Sequence, residues 1–252
     1  VYIHNDATAT TTFTIHNDGN AALNLHASST LRVVVEEDEE TPGYLDFTVT
    51  TPPATSTVSA EDNIAFVVTL NPSATGTRSA ILSISNDDTD EDPYTFSIQG
   101  TGTDPGISVT GNGTEIIHED DVPGTADGTD FGSIDIDNVT ATTTFTIHST
   151  GSTPLNLHQN SASRVVVSGA HYSDFTVTPP ATSTVSAGDS TTFVVTFDPT
   201  TTKNRSAILS ISNDDPDKTP YTFSIQGSGT AVLTVIDMTV DEKVYDGDTD
   251  AT

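Results

Sequence analysis

The sequence predicts an all-β protein built from two tandem antiparallel β-sandwiches, and three observations support this fold class. Apolar residues alternate with Thr and Ser at a period of two, which is typical of strands with one buried face. Turn-forming clusters such as NDG at 17–19 and TPP at 51–53 separate these runs. Much of the first half of the chain recurs in the second half. A period near 3.6 never persists for ten residues, so we expect no helical layer.

The internal repeat sets the organisation of the chain. Residues 8–35 align with 140–167, and residues 52–100 recur as 179–227 with 36 identities in 49 positions. The offset between the copies drifts from 132 to 127, which indicates an insertion around Glu36 to Glu40 and a further one at Thr51. Loops tolerate such insertions, so we expect a surface loop at this stretch.

The alternation predicts which residues of each strand are buried. About eight short strands fit into each copy, which matches a sandwich of the immunoglobulin type with its roughly 100 residues. The chain has neither Trp nor Cys, so it is not of the antibody variety. In the second copy the residues expected to point inward are Phe193, Val195, Phe197, Ala207, Leu209, Ile211, Tyr221, Phe223 and Ile225.

The repeat also predicts domain boundaries. We assign residues 1–104 to a first Ig-like sandwich that lacks its opening strand, and residues 105–230 to a second one. The second copy begins with a lead-in, Gly106 to Asp130, which contains the strand-like stretches ISVT and TEII. Residues 231–252 form a C-terminal strand or linker that starts a further module or serves as a donor strand.

The two ends of the chain leave two interpretations open. The first copy has nothing before Val1, and Ala231 to Val240 is a β-branched apolar run with no module left to join. This run completes the first module of the next copy, or both ends were cut from a longer tandem array. The second interpretation fits a chain that starts without Met in the middle of a strand-like run.

The composition excludes several partners. The chain of 252 residues has 36 acidic against 7 basic residues and a net charge of -29, which excludes nucleic acid because phosphates require clustered Lys and Arg. The acid excess argues against docking on an anionic membrane, and no window approaches the roughly 18 apolar residues of a spanning helix. The lack of Cys excludes disulfides, thiolate catalysis and Cys-ligated metals.

Several blocks carry a resemblance to a known family. These are DGTDFGSIDIDN at 127–138, TFTIHSTGSTPLNL at 144–157 and RSAILSISNDDPDKTPYTFSIQGSGT at 205–230. They resemble the tandem Ig-like repeats called choice-of-anchor D modules, which are distantly similar to the Hydin-type Ig-like domain. The tail MTVDEKVYDGDT at 238–249 is similar to the opening of a YDG module. The resemblance implies a secreted, cell-surface or extracellular bacterial fibre protein with no catalytic residues.

Clusters of acidic residues are the strongest local feature of the sequence. Two clusters occupy the same turn in the two copies, and a third precedes the opening strand of the second module. Hard cations bind several carboxylates, so calcium is one interpretation, although the spacing is not that of an EF-hand. The other interpretation is that Asn and Asp are good turn formers on an acid-rich surface. The candidate calcium ligands are Asp87, Asp88, Asp90 and Asp92, then Asp214, Asp215 and Asp217, and finally Asp120, Asp121, Asp127 and Asp130.

Histidines also repeat between the copies. His16 and His26 recur as His148 and His158, each next to an inward-facing apolar residue, so we expect them to point outward. Two outward imidazoles on neighbouring strands can share a transition metal. The alternative is that they are polar residues on a solvated face.

No enzyme motif is present, so we predict that the chain is not an enzyme. The sequence has no G-x-S-x-G elbow, no H-E-x-x-H pair and no phosphate-cradling glycine loop. A repeated isopeptide crosslink is also excluded, because residues 1–163 contain no Lys.

These observations lead to one main functional hypothesis and two alternatives. The main hypothesis is a structural stalk or fibre of tandem Ig-like modules outside the cell, joined head to tail by β-strand donation. The first alternative is an adhesin that binds a glycan or a protein through a sandwich-end loop, with Glu36 to Glu40 as the first place to look. The second is a rod stiffened by calcium at its acidic turns.

Overall fold

Strands dominate the structure, as the sequence predicts. The computed structural model describes residues 1–3, 7–38, 43–137 and 139–231. Its regular structure is nearly all β-strand, and the Ig-like all-β fold class is confirmed. No helix among the described residues is long and apolar enough to cross a membrane.

Within residues 1–3, 7–38 and 43–102, the first module has eight strands, most of them in two main sheets. One sheet has the order β1-β6-β4 and the other β3-β7-β8, while β2 and β5 form a short pair. All of these pairings are antiparallel, and β1 aligns Phe13 with Phe66 of β6. The elements are β1 (Ala9–His16), β2 (Leu23–Asn24), α1 (Ser29–Arg32), β3 (Val33–Glu36), β4 (Phe47–Thr51), β5 (Thr57–Val58), β6 (Asn63–Leu70), β7 (Gly76–Ile84) and β8 (Tyr94–Gly102), with a short 3-10 helix at Tyr44–Asp46.

The second module repeats this arrangement and adds three strands before it. Its sheets have the orders β10-β9-β12-β17-β15 and β11-β19-β18-β14, and β13 pairs with β16. The elements are β9 (Ile107–Gly111), β10 (Thr114–Ile116), β11 (Asp130–Asp135), β12 (Ala141–Ser149), β13 (Leu155–Asn156), β14 (Val165–Ser168), β15 (Phe175–Thr178), β16 (Thr184–Val185), β17 (Ser190–Phe197), β18 (Lys203–Ile211) and β19 (Tyr221–Thr230), with 3-10 helices at Ser161–Ser163 and Tyr172–Asp174. The strands predicted from ISVT and TEII are therefore present as β9 and β10.

One pairing departs from the antiparallel expectation. β11 runs parallel to β19, with Ser133 opposite Ser228. Residues 117–129 cross from β10 in one sheet towards the other sheet, where Asp120 bridges Phe223 near the start of β19. The chain then continues alongside β19 in the same direction, which makes the pair parallel.

The two predicted insertions have different structural outcomes. The extra residue near Thr51 is absorbed within β4, because Val49 pairs with Val68 while Thr51 pairs with the next residue, Val67. This is a β-bulge, so the expectation of a loop is wrong at this position. Residues 39–42, which include part of the Glu36 to Glu40 insertion, lie outside the described residues.

In the described part of the chain, the buried apolar residues form two clusters. The cluster of the first module is formed by residues from Ile15 to Ile84 along the chain, and that of the second module by residues from Ile107 to Ile225. All nine residues predicted to point inward in the second copy are at most 3% exposed. Alternation therefore predicted this core correctly, while the domain boundaries at 104 and 230 stay predictions.

Candidate functional site

A groove lined by both polar and apolar residues runs along the edge of β1 in the first module. It encloses about 550 Å³. Its floor includes the rings of Phe13, Phe66 and Phe96, and the carboxylates Asp88 and Glu91 lie at its border. Concave surfaces that combine aromatic rings with polar side chains are typical binding sites.

The same aromatic cluster exists in the second module. Phe13 lies 5.4 Å from Phe66 and 5.6 Å from Phe96 between ring centroids. In the second copy Phe145 lies 5.3 Å from Phe193 and 5.6 Å from Phe223. The ring packing that builds the groove is therefore a property of the repeat.

The two copies differ in what covers these rings. Phe145, Phe223 and Tyr221 are at most 2% exposed, because β9 and β10 place Ile107, Val109 and Ile116 over them. In the first module Phe13 and Phe96 are only partly buried, and Tyr94 is 48% exposed. The groove of the first module therefore corresponds to the surface that the lead-in covers in the second module.

A second cavity lies at the other end of the first module's core. It encloses about 300 Å³ and is lined by Val1, Phe47 and Leu70 among others. In the second module Phe131 packs at this position, 5.8 Å from both Phe175 and Phe197. Both cavities therefore correspond to places that, in the second copy, are filled by side chains of the lead-in or of β11 directly after it.

Within the described residues, β1 and β8 are edge strands. Their counterparts β12 and β19 pair with β9 and β11. Residues 1–3 cover only the end of β8, where the Ile3 N–H donates to the Thr103 carbonyl at 3.0 Å, as Ile136 does to Thr230 at 2.9 Å. Exposed strand edges present unpaired main-chain groups that accept a further strand.

Three polar side chains of the second module hold the lead-in in place. Asp215 is 5% exposed, and its Oδ2 accepts the Ile107 N–H at 2.9 Å. Lys218 donates from Nζ to the Ile107 carbonyl at 3.2 Å, and the Tyr221 hydroxyl donates to the Ile116 carbonyl. Burial, together with the negative charge of Glu115, raises the pKa of Tyr221 to about 12.

The first module carries the counterparts of these residues around its groove. The repeat aligns Asp88 with Asp215, Glu91 with Lys218 and Tyr94 with Tyr221. The carboxylate and the phenol are therefore retained, while the ammonium group is replaced by a carboxylate.

The predicted acidic clusters hold turns together by accepting hydrogen bonds. Asp87 accepts the main-chain and side-chain N–H groups of Asn24, both at 2.7 Å, and Asp214 does the same with Asn156 at 2.8 Å. The hydrogen bonds from Asn24 hold the pKa of Asp87 below its usual range. Each of these carboxylates ties the long hairpin of its module to a short neighbouring strand.

Most of the remaining candidate calcium ligands bond to their own turns. Asp215 Oδ1 accepts the Asp217 N–H, Asp92 accepts from Asn86, Asp120 from Val122, Asp127 from Thr129 and Asp130 from Gly132. Asp88 lies at the groove, and Asp90, Asp121 and Asp217 are exposed. Throughout the described ranges, no group of three or more His, Asp or Glu residues is arranged to hold a metal ion. Calcium binding at these turns stays a prediction.

The repeated histidines act mainly as local acceptors. His26 and His158 are exposed, and their Nδ1 atoms accept the N–H groups of Ser28 and Asn160 at 3.1 Å. His16 is exposed, whereas His148 is partly covered by β9 and lies 3.0 Å from the Thr110 hydroxyl. The lead-in strand β9 therefore covers part of His148, whereas the equivalent His16 of the first copy is exposed.

Sequence reasoning missed a set of repeated buried arginines. Arg32 donates to the carbonyls of His26, Ala27 and Pro53, and Arg164 donates to the equivalent carbonyls of His158, Gln159 and Pro180. Arg78 pairs with the buried Asp46, and Arg205 lies 3.2 Å from the buried Asp174. Recurrence of Arg at the same position in both copies of an acidic chain was the signal that would have found them.

The surroundings of Asp46 have opposing effects on its pKa. Burial by itself raises the pKa of Asp46, but hydrogen bonds from Ser73 and Arg78 outweigh it and leave the pKa below its ordinary value of 3.8. The ionised form is therefore the native one, and the pair joins the 3-10 turn before β4 to β7.

Comparison with known families supports the Ig-like assignment. Residues 125–228 match the model of the HYDIN/CFA65/VesB-like Ig-like domain. This match supports an Ig-like family. The finer assignment to choice-of-anchor D modules stays a prediction, and the YDG-like tail lies outside the described residues. No curated protein matched the chain.

Several solved structures are similar to the chain, at low identity and with TM-scores below 0.5. A Porphyromonas gingivalis W83 protein of unknown function is 14% identical to this chain, with a TM-score of 0.36. The aligned region covers 88% of this chain and 92% of that protein. The ASH/PapD-like domain 7 of human CEP192 is 17% identical, with 41% and 82% coverage and a TM-score of 0.27. The Vibrio cholerae VesB protease is 9% identical, with 68% and 58% coverage and a TM-score of 0.30.

Proposed function

We propose that this chain is a non-catalytic structural protein whose tandem Ig-like modules form a stalk or fibre at the cell surface or outside the cell. The observation that carries the proposal is the joint between the modules, which consists of the four residues 103–106 between β8 and β9. A short, hydrogen-bonded joint keeps two modules at a fixed separation, which is what a stalk requires.

The joint is bonded on both sides. The Thr103 N–H donates to the Val1 carbonyl at 2.7 Å, which ties the joint to the first module. On the other side, the Asp104 N–H donates to the Ser152 hydroxyl at 3.0 Å and the Asp104 carbonyl accepts the Ser152 N–H at 2.9 Å. Bending at the joint would break these hydrogen bonds, so we expect the joint to be stiff.

Gly151 lets the chain approach the joint closely. A Cβ at this position would lie 2.3 Å from the Asp104 carbonyl oxygen and 2.4 Å from the Gly106 nitrogen. At the equivalent Gly19 of the first module, a Cβ would meet only the Asn17 Oδ1 at 3.1 Å among the described residues, and nothing of residues 103–106. These two glycines form a matched pair for an experiment.

The stiffness of the joint can be measured as the distribution of distances between two spin labels, one on each module. The labels can be attached to engineered cysteines, since the chain has no Cys of its own. Leu45→Cys and Tyr172→Cys place the labels on residues that are 79% and 59% exposed. We expect one narrow distance distribution, which broadens with Gly151→Ala and stays narrow with Gly19→Ala. A broad distribution in the unmodified joint would count against a stalk.

The external location has its own test. The acid excess and the resemblance of the repeats to bacterial surface modules support it. In the native cells, protease added outside intact cells should digest the protein while cytoplasmic markers survive. Protection from the protease until lysis would contradict the proposed location.

A further inference from the structure

In the first module, the buried side chain of Asn17 satisfies several main-chain groups at once. It is 7% exposed and follows the end of β1. Its Nδ2 donates to three main-chain carbonyls at 2.8 to 3.1 Å, those of Ala21, Val58 and Ser59. Its Oδ1 accepts the Gly19 N–H at 3.1 Å. One side-chain amide therefore fills a place where three carbonyl oxygens converge.

The second module has the same main-chain framework at this place but a different side chain. The repeat aligns Asn17 with Ser149, which is 2% exposed. Ser149 donates its N–H to the Asp189 carbonyl at 2.9 Å, as Asn17 does to the Asp62 carbonyl at 3.0 Å. The Ser149 carbonyl accepts the Gly188 N–H at 3.0 Å, and the first copy has the equivalent bond at 2.9 Å. We therefore expect the carbonyls to converge in the second copy as well.

The change from Asn to Ser leaves buried polar groups without a protein partner. The carbonyls that correspond to those around Asn17 belong to Thr153, Val185 and Ser186. Ser149 Oγ is buried and has no hydrogen-bond partner among the described residues, and the same holds for Thr153 Oγ1. Two hydroxyls and three carbonyls thus belong to residues whose counterparts enclose the Asn17 amide. Buried polar groups are nearly always bonded, so these five oxygens indicate a bound ligand.

We propose that this site of the second module binds a monovalent cation of the size of K⁺. Carbonyl and hydroxyl oxygens are ligands for hard cations, and carbonyl oxygens replace the hydration shell of K⁺ in channel filters. None of the five oxygens belongs to a carboxylate, which argues against a divalent ion. The distances of 2.8 to 3.1 Å from the Asn17 Nδ2 to its acceptors give the size of the space. They exceed the about 2.3–2.6 Å of Ca²⁺–oxygen bonds.

A single water molecule is the alternative occupant, and the arrangement of the oxygens favours the ion. A water molecule donates two hydrogen bonds, so it leaves one of three carbonyls without a donor. A cation contacts all three carbonyls and both hydroxyl oxygens. The net charge of -29 also raises the concentration of cations around the protein.

The site lies between an open cavity and the joint. Ser149 contributes to the lining of a cavity of about 560 Å³, through which an ion can enter from the solvent. On the other side, the N–H groups of Ser152 and Thr153 donate to the Asp104 carbonyl at 2.9 and 3.4 Å. An ion that ties Thr153 to Ser149 therefore also fixes the loop that holds the joint.

Stability measurements on the full chain test the inference, with potassium chloride as the probe. A ligand that binds only the folded state stabilises it as its concentration rises above the dissociation constant. At constant ionic strength, replacing choline chloride by potassium chloride should lower the equilibrium constant for unfolding of the second module. The decrease should be about tenfold when the salt reaches about ten times its dissociation constant. Equal stability in the two salts overturns the inference.

Variants of the two hydroxyl residues assign the effect to the site. Ser149→Asn with Thr153→Ala gives the second module the residues of the first, so an amide takes the place of the ion. This variant should be at least as stable as the unmodified chain in choline chloride and should not respond to potassium. Ser149→Ala with Thr153→Val removes both hydroxyl ligands and should weaken potassium binding at least about tenfold. A potassium response that survives in both variants overturns the inference.

The reverse exchange is the matched experiment in the first module. Asn17→Ser with Ala21→Thr replaces the amide by the two hydroxyls of the second copy. We expect this variant to be less stable than the unmodified chain in choline chloride and to recover part of the loss in potassium chloride. Equal losses in both salts contradict the inference.

Rubidium distinguishes an ion from a water molecule. Rb⁺ resembles K⁺ in size and scatters X-rays anomalously near its absorption edge, whereas water does not. In crystals grown with rubidium chloride, we expect an anomalous peak in contact with Ser149 Oγ and the Thr153 carbonyl. Density without an anomalous signal at this place identifies a water molecule and overturns the inference. The spin-label distance across the joint is a separate measurement, so the stalk proposal survives or fails independently of these results.

Discussion

The four arginines of the chain lie at two positions that repeat in each module. At the first, Arg32 and Arg164 are each 8% exposed and surrounded by carbonyl oxygens. At the second, Arg78 and Arg205 pair with the buried carboxylates Asp46 and Asp174. A planar guanidinium with five donors satisfies several main-chain acceptors at once, which no other side chain does. The scarce arginines of this acidic protein are therefore structural.

Arg164→Met should destabilise the second module. The substitution retains much of the side-chain volume but leaves the carbonyls of His158, Gln159 and Pro180 without their donor. Because buried acceptors without partners cost about 1 to 3 kcal/mol each when no water reaches them, we expect a loss of about 2 to 4 kcal/mol. Urea unfolding measures it, with Lys203→Met on the exposed start of β18 as control. Equal losses in the two variants would contradict the structural role of Arg164.

Tyr221 gives the second module a sensitivity to high pH. Its pKa is about 12 in the folded protein and 10.0 when unperturbed, so the neutral phenol contributes its full stability below pH 10. That contribution is lost as the pH rises from 10 to 12, because the unfolded state releases the proton first. Tyr221→Phe should remove this part of the alkaline loss of stability in urea unfolding series. Tyr94→Phe is the matched control, and an identical change in both variants would sink the assignment.

Calcium at the acidic turns is testable through thermal stability. A ligand that binds only the folded state raises the melting temperature with its concentration. If the turns of Asp87 and Asp214 bind calcium, replacing EDTA by calcium chloride at constant ionic strength should raise the melting temperature more than magnesium does. Unchanged melting would leave these carboxylates as acceptors of turn hydrogen bonds only.

At the scale of elements, the lead-in of the second module shows how one carboxylate positions a strand. β9 begins at Ile107, whose N–H and carbonyl are held by Asp215 and Lys218. From this starting point the register of β9 on β12 follows, and with it the burial of Ile107 and Val109. A one-residue shift would turn these apolar side chains to the solvent.

Asp215→Ala should loosen β9 without unfolding the module. We expect a loss of about 1 to 3 kcal/mol from the buried Ile107 N–H that loses its acceptor, together with faster hydrogen exchange of the β9 amides. Asp88→Ala, at the aligned and exposed position, should change the stability of dilute protein by less than about 0.5 kcal/mol. If exchange in β9 is unaffected, the carboxylate does not position the strand.

Prediction from the sequence worked best for elements with clear alternation. In β17, β18 and β19 the nine residues predicted to point inward are apolar and buried, and the residues between them are Thr, Ser, Val194 and Ile208; the buried face was assigned correctly for each strand. It failed for the bulge in β4, because an inserted Thr fits a strand as well as a loop. The parallel direction of β11 was also out of reach, since direction depends on the path of residues 117–129.

At the scale of the whole molecule, the two modules differ in how completely their cores are filled. Among the described residues, 20 buried apolar residues form the second core and 11 form the first. The rings and their spacing are shared, so the difference comes mainly from the lead-in and the residues it covers. Since a fully buried side chain contributes about 1.5 to 3 kcal/mol, the second module should be the more stable.

Unfolding of the dilute chain should therefore occur in two transitions. The first is assigned to the module with the open groove, and Arg32→Met should shift this transition alone. Arg164→Met should shift only the second. Calorimetry of both variants makes the measurement, and a single transition shifted equally by either substitution would show that the modules unfold as one unit.

The sequence by itself determined the fold class, the repeat and the buried faces, because these depend on local alternation and on identity between distant segments. It also located the acidic turns. Only the tertiary structure decided which carboxylates accept hydrogen bonds in turns and where the arginines are buried. It also showed that two cavities lie beside the core of the first sandwich. Those properties depend on which side chains of distant segments meet, as Asp215 meets Ile107, and the order of residues along the chain does not specify such contacts.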